Sequence, residues 1–171
     1  EKAGSQALQS YVNKKFVVTL GGGHDYGYPD AAAFVSAFRK SKKKPVVINF
    51  DAHLDVRPLD KGLTSGTPFF RLLEESAKDI HFFEVGIQNH CNAKNHLSWA
   101  MKHNAVIIEQ EKVAQKSLYQ CLLPKLAKLK GHPTFLSVDI DGFTSSEAPG
   151  CSQSWPVGFT TQDFLKTMKA I

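Results

Sequence analysis

Short apolar runs alternate with amphipathic stretches along almost the whole chain. Residues 16–20 (FVVTL), 46–50 (VVINF), 80–85, 105–108 and 134–138 are rich in Val, Ile, Phe and Leu and read as strands. Their apolar character is nearly continuous rather than alternating, which predicts strands buried on both faces. Between them, helices are predicted over residues 29–40, 67–77, 93–102, 113–129 and 161–171. Pro29 and Asp30 mark one helix start, and Pro68 is tolerated in the first turn of another. Pro124 predicts a kink or break in the helix it interrupts. Strands alternating with helices imply an α/β protein: three layers, with a mostly parallel sheet between two helical layers.

Three polar segments follow three of these strands directly. They are Gly21-Gly22-Gly23-His24, the stretch Asp51-Ala52-His53-Leu54-Asp55, and Asp139-Ile140-Asp141. In a parallel sheet the ligand site lies beyond the carboxyl ends of the strands, so all three should meet at one edge. In extended backbone, side chains at i and i+2 share a face. Asp139 and Asp141 would then point one way, and Asp51, His53 and Asp55 likewise, with Ala52, Leu54 and Ile140 turned away. The three glycines permit a tight turn that aims His24 at the same place.

Four carboxylates converging without cations would repel one another and take up protons. Two divalent ions cancel that charge. Mixed carboxylate and imidazole ligation without thiolate suits Mn²⁺, with Zn²⁺, Fe²⁺, Co²⁺ and Ni²⁺ as competitors. Two ions about 3.5–4 Å apart can share one water and lower its pKa toward neutrality. Asp51 and Asp139, each first in its segment, are the expected bridging ligands, and a metal-dependent hydrolase is the leading functional class.

The remaining composition narrows the field. At 171 residues the chain matches one domain, covering residues 1–171. It opens with a helix-like piece and ends inside a helix, which predicts truncation at both ends. Cys91, Cys121 and Cys151 are widely spaced and read as free thiols. No segment is long and apolar enough to span a bilayer, and the start lacks a signal-peptide pattern, so a cytoplasmic protein without membrane partners is expected. Much of the net charge of +5 sits in residues 39–44 and 112–130. No nucleic-acid motif accompanies it, so a solvated loop is the expectation for residues 39–44 and no nucleic acid is expected as partner.

With these motifs in place, the chain resembles the ureohydrolase superfamily of arginase, agmatinase and formimidoylglutamase, over nearly all of its length. The resemblance implies an arginase-like fold and two Mn²⁺ ions per chain. It implies one ion held by His24, Asp51, Asp55 and Asp139, and a second by Asp51, His53, Asp139 and Asp141. Residues 51–57 followed by Ser65-Gly66-Thr67-Pro68-Phe69 look most like formimidoylglutamase, which splits N-formimidoyl-L-glutamate into L-glutamate and formamide in histidine breakdown. Arginases carry Asn where Arg57 stands and His where Phe69 stands. Arg57 suits a small anionic, amino-acid-derived substrate, because a guanidinium grips a carboxylate through two parallel hydrogen bonds. Ser65 and the backbone N–H groups near Gly66 and Thr67 are expected to hold another carboxylate oxygen. The plainer readings are an ion pair of Arg57 with Asp60 or Asp55, and Ser65 as a helix cap. Asp55, with Asp51 and Asp139, is the expected catalytic group, Asp55 relaying a proton to the leaving amine. The resemblance also implies a glutamate that pairs with the substrate's cationic group, beyond residue 171. The alternatives are a guanidino hydrolase of agmatinase or arginase type, or an inactive metal-binding relative. A homo-oligomer is compatible with either.

Overall fold

The computed structural model describes residues 2–13 and 15–171. Four strands form its sheet: β1 (Val46–Phe50), β2 (His81–Ile87), β3 (Ala105–Glu109) and β4 (Thr134–Val138). All neighbours pair in parallel, in the order β3-β2-β1-β4. Helices α1 (Lys2–Val12), α2 (Gly27–Phe38), α3 (Pro68–Ser76), α4 (Lys94–Lys102), α5 (Gln110–Gln115), α6 (Leu118–Leu126) and α7 (Thr161–Met168) complete the regular structure.

The sheet separates two apolar cores. On one face Val47 and Phe82 pack with Phe34 and Val35 of α2, Phe69, Leu72 and Leu73 of α3, and Ala100 of α4. On the other, Ile48, Phe50, Phe83 and Val85 pack with Val113 of α5, Leu118 and Leu122 of α6, and Phe159. Burying each such side chain contributes about 1.5–3 kcal/mol, which explains why the strands read as unbroken apolar runs. The three-layer α/β/α arrangement is the one the strand and helix pattern predicts.

Strand register sets the position of the site. Phe50 stands level with Val85 on one side and Val138 on the other. The chain therefore leaves β1 and β4 abreast. The Asp139 N–H donates to Phe50 O at 2.9 Å, and the Asp51 N–H donates to Val85 O at 3.0 Å.

Two expectations need correction. Residues 16–20 do not join the sheet; Phe16 is 93% and Leu20 95% exposed. A strand needs a hydrogen-bonding neighbour, and β4, the sheet's edge on that side, does not pair with this stretch. The predicted helix over 113–129 is two helices, and the break falls at Ser117 rather than at Pro124. The Ser117 hydroxyl accepts from the Gln120 N–H at 3.1 Å and caps α6. Pro124 lies within α6. Among the described residues the left-handed glycines are Gly62, Gly86 and Gly131. Gly86, at φ +93°, sits at a register shift between β2 and β3. A Cβ there would run into the Phe159 ring, which also lies 3.1 Å from where a Cβ on Gly142 would be.

Candidate metal centre

His24 lies in a 3-10 turn ahead of α2. Its ring rests edge-on against Phe69, with centroids 5.4 Å apart. Gly27 makes room for it, since a Cβ there would sit 3.3 Å from His24 Cδ2. The His24 Nε2 is 2.8 Å from Ser137 Oγ. The opposite nitrogen, Nδ1, faces Asp55 Oδ2 at 2.9 Å, Asp51 Oδ2 at 3.1 Å and Asp139 Oδ2 at 3.1 Å. Despite these neighbours, Nδ1 is a buried atom without a well-aligned hydrogen bond. It points among three carboxylates rather than at one of them, which is the arrangement a shared cation requires.

A second group lies alongside. His53 Nδ1 is 2.9 Å from Asp141 Oδ2 and 3.6 Å from Asp51 Oδ1. The two oxygens of Asp51 thus face different imidazoles: Oδ2 faces His24 and Oδ1 faces His53. Two ligand sets follow, His24 with Asp51 and Asp139, and Asp51 with His53 and Asp141. Asp55 joins the first through His24. Asp139 borders the second set, its Oδ1 accepting from the Asp141 N–H at 3.0 Å.

The route to this convergence differs from simple i, i+2 alternation. Strand β4 ends at Val138, and Ile140–Gly142 is a 3-10 turn, so Asp141 reaches the cluster by a turn and Ile140 is 56% exposed. After β1 the backbone bends, and Asp55 adopts φ +48°, a left-handed conformation that Asp tolerates better than bulky residues. The Asp55 carbonyl then accepts from the N–H groups of Phe69 and Phe70, tying the loop to the start of α3. Ala52 and Leu54 are buried as expected.

Several polar residues without motif spacing hold the loop. Asn92 Oδ1 accepts from the Leu54 N–H at 2.9 Å, and its Nδ2 donates to Ala52 O and Gln88 O, each at 2.8 Å. Asn49 and Glu84, both fully buried, lie beneath Asp51. The signal for these two was present in the sequence as an amide and an acid inside apolar strands. Ser137 carried a weaker signal, two residues before Asp139. Asn92 had none.

Electrostatics follow from the crowding. Burial disfavours charge on His24, but the facing carboxylates of Asp139, Asp51 and Asp55 overcome it and push the imidazole up to about 12. His53 is likewise pushed up to about 12, chiefly by Asp141 and then Asp51. Burial would raise Asp51, yet His24 and His53 hold it well below the usual carboxylate range. Asp55 is pushed up to about 7 by burial and by the charge of Asp51. Asp141 is raised by burial and by the neighbouring acids, against the pull of His53. Glu84 is raised well above its ordinary value, mainly by burial. The site is therefore an excess of acid that recruits positive charge.

The expected substrate residues are placed less uniformly. Arg57 and Ser65 are exposed. The Arg57 N–H donates to Gly66 O at 2.8 Å, and the guanidinium end folds over Gly66, whose Cβ position would be 2.8 Å from Arg57 Nε. Among the described residues Arg57 forms no ion pair with Asp55 or Asp60. Thr67, not Ser65, occupies the cap position of α3. Thr67 is buried and turned inward: its hydroxyl and its N–H both donate to Thr64 O, at 2.8 and 3.1 Å. The Gly66 N–H donates to Thr64 Oγ1 at 3.3 Å. The turn itself thus uses the Gly66 and Thr67 amides.

The arginase family model matches residues 1–171. The chain belongs to the arginase family. It is 35% identical over 156 residues to formimidoylglutamase of Bacillus subtilis, covering 89% of this chain and 48% of that protein. The chain spans about half the length of the curated relatives it matches. A variant of Trypanosoma cruzi formiminoglutamase solved with Mn²⁺ superposes with a TM-score of 0.86 at 34% identity, over 98% of this chain and 56% of that one. Arginase from Bacillus caldovelox superposes with a TM-score of 0.81 at 19% identity, covering 98% and 60% of the two chains, which shows the shared fold. Among the described residues no helix is long and apolar enough to cross a membrane. The three cysteines are free, and Lys40 to Lys44 form an exposed loop between α2 and β1.

Proposed function

We propose that the full-length protein is a manganese-dependent formimidoylglutamase, cleaving the C–N bond of N-formimidoyl-L-glutamate to give L-glutamate and formamide. The observation that carries the reading is the divided Asp51 carboxylate, with one oxygen toward His24 and the other toward His53. The relatives named above supply the substrate class and the metal. Asp51, Asp55, Asp139 and His24 would hold one Mn²⁺, and Asp51, His53 and Asp141 the other. Bound there, the pair would supply a nucleophilic hydroxide at neutral pH.

The chain's own groups have definite tasks. Asp51 would contribute one oxygen to each of the two sites. Asp55, beside His24 at the edge of the first set, is placed to relay a proton to the leaving amine. Asp139 orients the turn that carries Asp141 by accepting its N–H. Arg57, exposed and free of any acidic partner among the described residues, grips a substrate carboxylate in bidentate fashion. Ser65 adds a hydroxyl beside it. A cationic amine tail would be repelled by Arg57, which favours the anionic substrate over agmatine or arginine.

The test is a substrate panel on the full-length, Mn²⁺-loaded protein, with formamide, urea and ammonia all measured. Formamide release from formimidoylglutamate is expected, with Arg57→Asn raising KM for this substrate about 10-fold or more while leaving kcat less affected. Turnover of agmatine in its place would overturn the substrate assignment.

A further inference from the structure

We propose that Asn49 and Glu84 form a buried positioning pair that fixes the orientation of the Asp51 carboxylate for divalent-cation binding. The inference rests on the metal-centre reading above and extends it to two residues that touch neither ion nor substrate.

Asn49 and Glu84 stand opposite each other in the register of β1 and β2. Both are 0% exposed. A single amide nitrogen, Asn49 Nδ2, lies 2.9 Å from Glu84 Oε2 and 3.2 Å from Asp51 Oδ2. The flanking positions in both strands are apolar and buried, so a polar pair at this depth is costly unless it acts on something. What it reaches is Asp51 Oδ2, the same oxygen that faces His24 Nδ1. The other oxygen, Oδ1, accepts from the His53 N–H at 2.7 Å.

The carboxylate is thereby held at both ends. A hydrogen bond on Oδ2 and another on Oδ1 fix the plane of the group and its rotation about χ2. A carboxylate that must bind one cation through each oxygen needs that plane fixed, because rotation misaligns both bonds at once. Glu84 completes the device by orienting the amide. With the amide reversed, its oxygen would face two carboxyl groups. Outer partners of this kind typically change metal affinity about 10–100-fold when removed.

The test uses the full-length protein and Mn²⁺ itself as probe, titrated by electron paramagnetic resonance, with the unfolding midpoint of the metal-free protein measured in parallel. Asn49→Leu, close in size but without polar atoms, is expected to weaken at least one Mn²⁺ by about 10–100-fold while the metal-free protein remains folded. Glu84→Leu should weaken binding in the same direction. Glu84→Gln keeps an acceptor for the amide and should restore affinity close to that of the parent. If Asn49→Leu fails to fold, the contrast between Glu84→Leu and Glu84→Gln decides. Parental affinity in both leucine variants, or equal loss in Glu84→Gln and Glu84→Leu, overturns the positioning role. A parent protein that binds no Mn²⁺ pair overturns the metal-centre reading, and this proposal with it.

Discussion

Strands β1 and β4 lie side by side and each delivers ligands to the same cluster, yet they are supported very differently. Every residue of β1 is buried, and it is paired on both edges. Its exit is clasped by Asn92, by the Gln88 N–H on Ala52 O, and by the start of α3 on Asp55 O. Among the described residues strand β4 is paired on one edge alone, and Leu136 and Val138 are 41% and 47% exposed. Its exit is held by the Asp139 N–H on Phe50 O, by a 3-10 turn, by the Ala52 N–H on Asp141 Oδ1 and by the Phe159 N–H on Gly142 O. Ligand residues of equal chemical importance thus rest on unequal foundations. The central strand fixes the shared ligand, and the peripheral strand borrows its order from the central one.

The largest expected effect separates the two exits directly. Asp51→Ala should abolish binding of both ions and lower activity by well over about 100-fold, beyond what loss of any outer partner causes. Asp141→Ala should remove one ion and leave the His24 set able to bind the other. Mn²⁺ stoichiometry by metal analysis checks the pair, and a single ion retained in Asp51→Ala would break the claim that this residue is shared.

A smaller effect is expected where the clasp is cut. Asn92→Ala removes three hydrogen bonds to backbone groups and leaves the Leu54 N–H without its partner, which should cost about 1–3 kcal/mol of stability. Mn²⁺ affinity should fall with it. Amide hydrogen exchange should quicken at Leu54 and not in β4. Uniform loosening of both exits would show that the clasp is not what distinguishes them.

The smallest effect concerns the ground beneath β1. Glu84 has a folded-state pKa raised well above its ordinary value of 4.5, mainly by burial. The protonated form is favoured in the fold, so its stability is fully present below the unfolded value and is lost as pH rises toward the folded one. Glu84→Gln carries no such loss. In chelator, urea unfolding should find this variant more stable than the parent at pH 7, with the difference closing as pH falls to about 4.5. A difference independent of pH would mean that Glu84 is not held protonated.

Much of this architecture was legible in the residues themselves. The strands at 46–50 and 134–138 were found to the residue, because each is a short apolar run, although only the first is buried throughout. The six ligand candidates followed from chemistry placed at strand ends. The path by which they meet did not. Asp55 in a left-handed conformation and Asp141 in a 3-10 turn are products of tertiary hydrogen bonds, which strand periodicity does not encode. Residues 16–20 carry the same apolar signature as β1 but have no partner strand, since pattern reports the capacity to pair and not the presence of a neighbour. Asn92 was invisible, because a side chain that serves three distant backbone groups leaves no spacing of its own. The bond of the Thr67 hydroxyl to the turn it belongs to was equally silent in the sequence.

The Phe159 ring lies against both Gly86 and Gly142. It works as a spacer wedged between strand β2, which donates no ligand, and the turn that presents Asp141. The edge of that ring reaches Gly86 on one side and Gly142 on the other. Enlarging either glycine, or shrinking the phenyl group, would shift the height of a carboxylate without altering any atom that meets the ions. The reach of this centre therefore extends to positions whose own chemistry is inert.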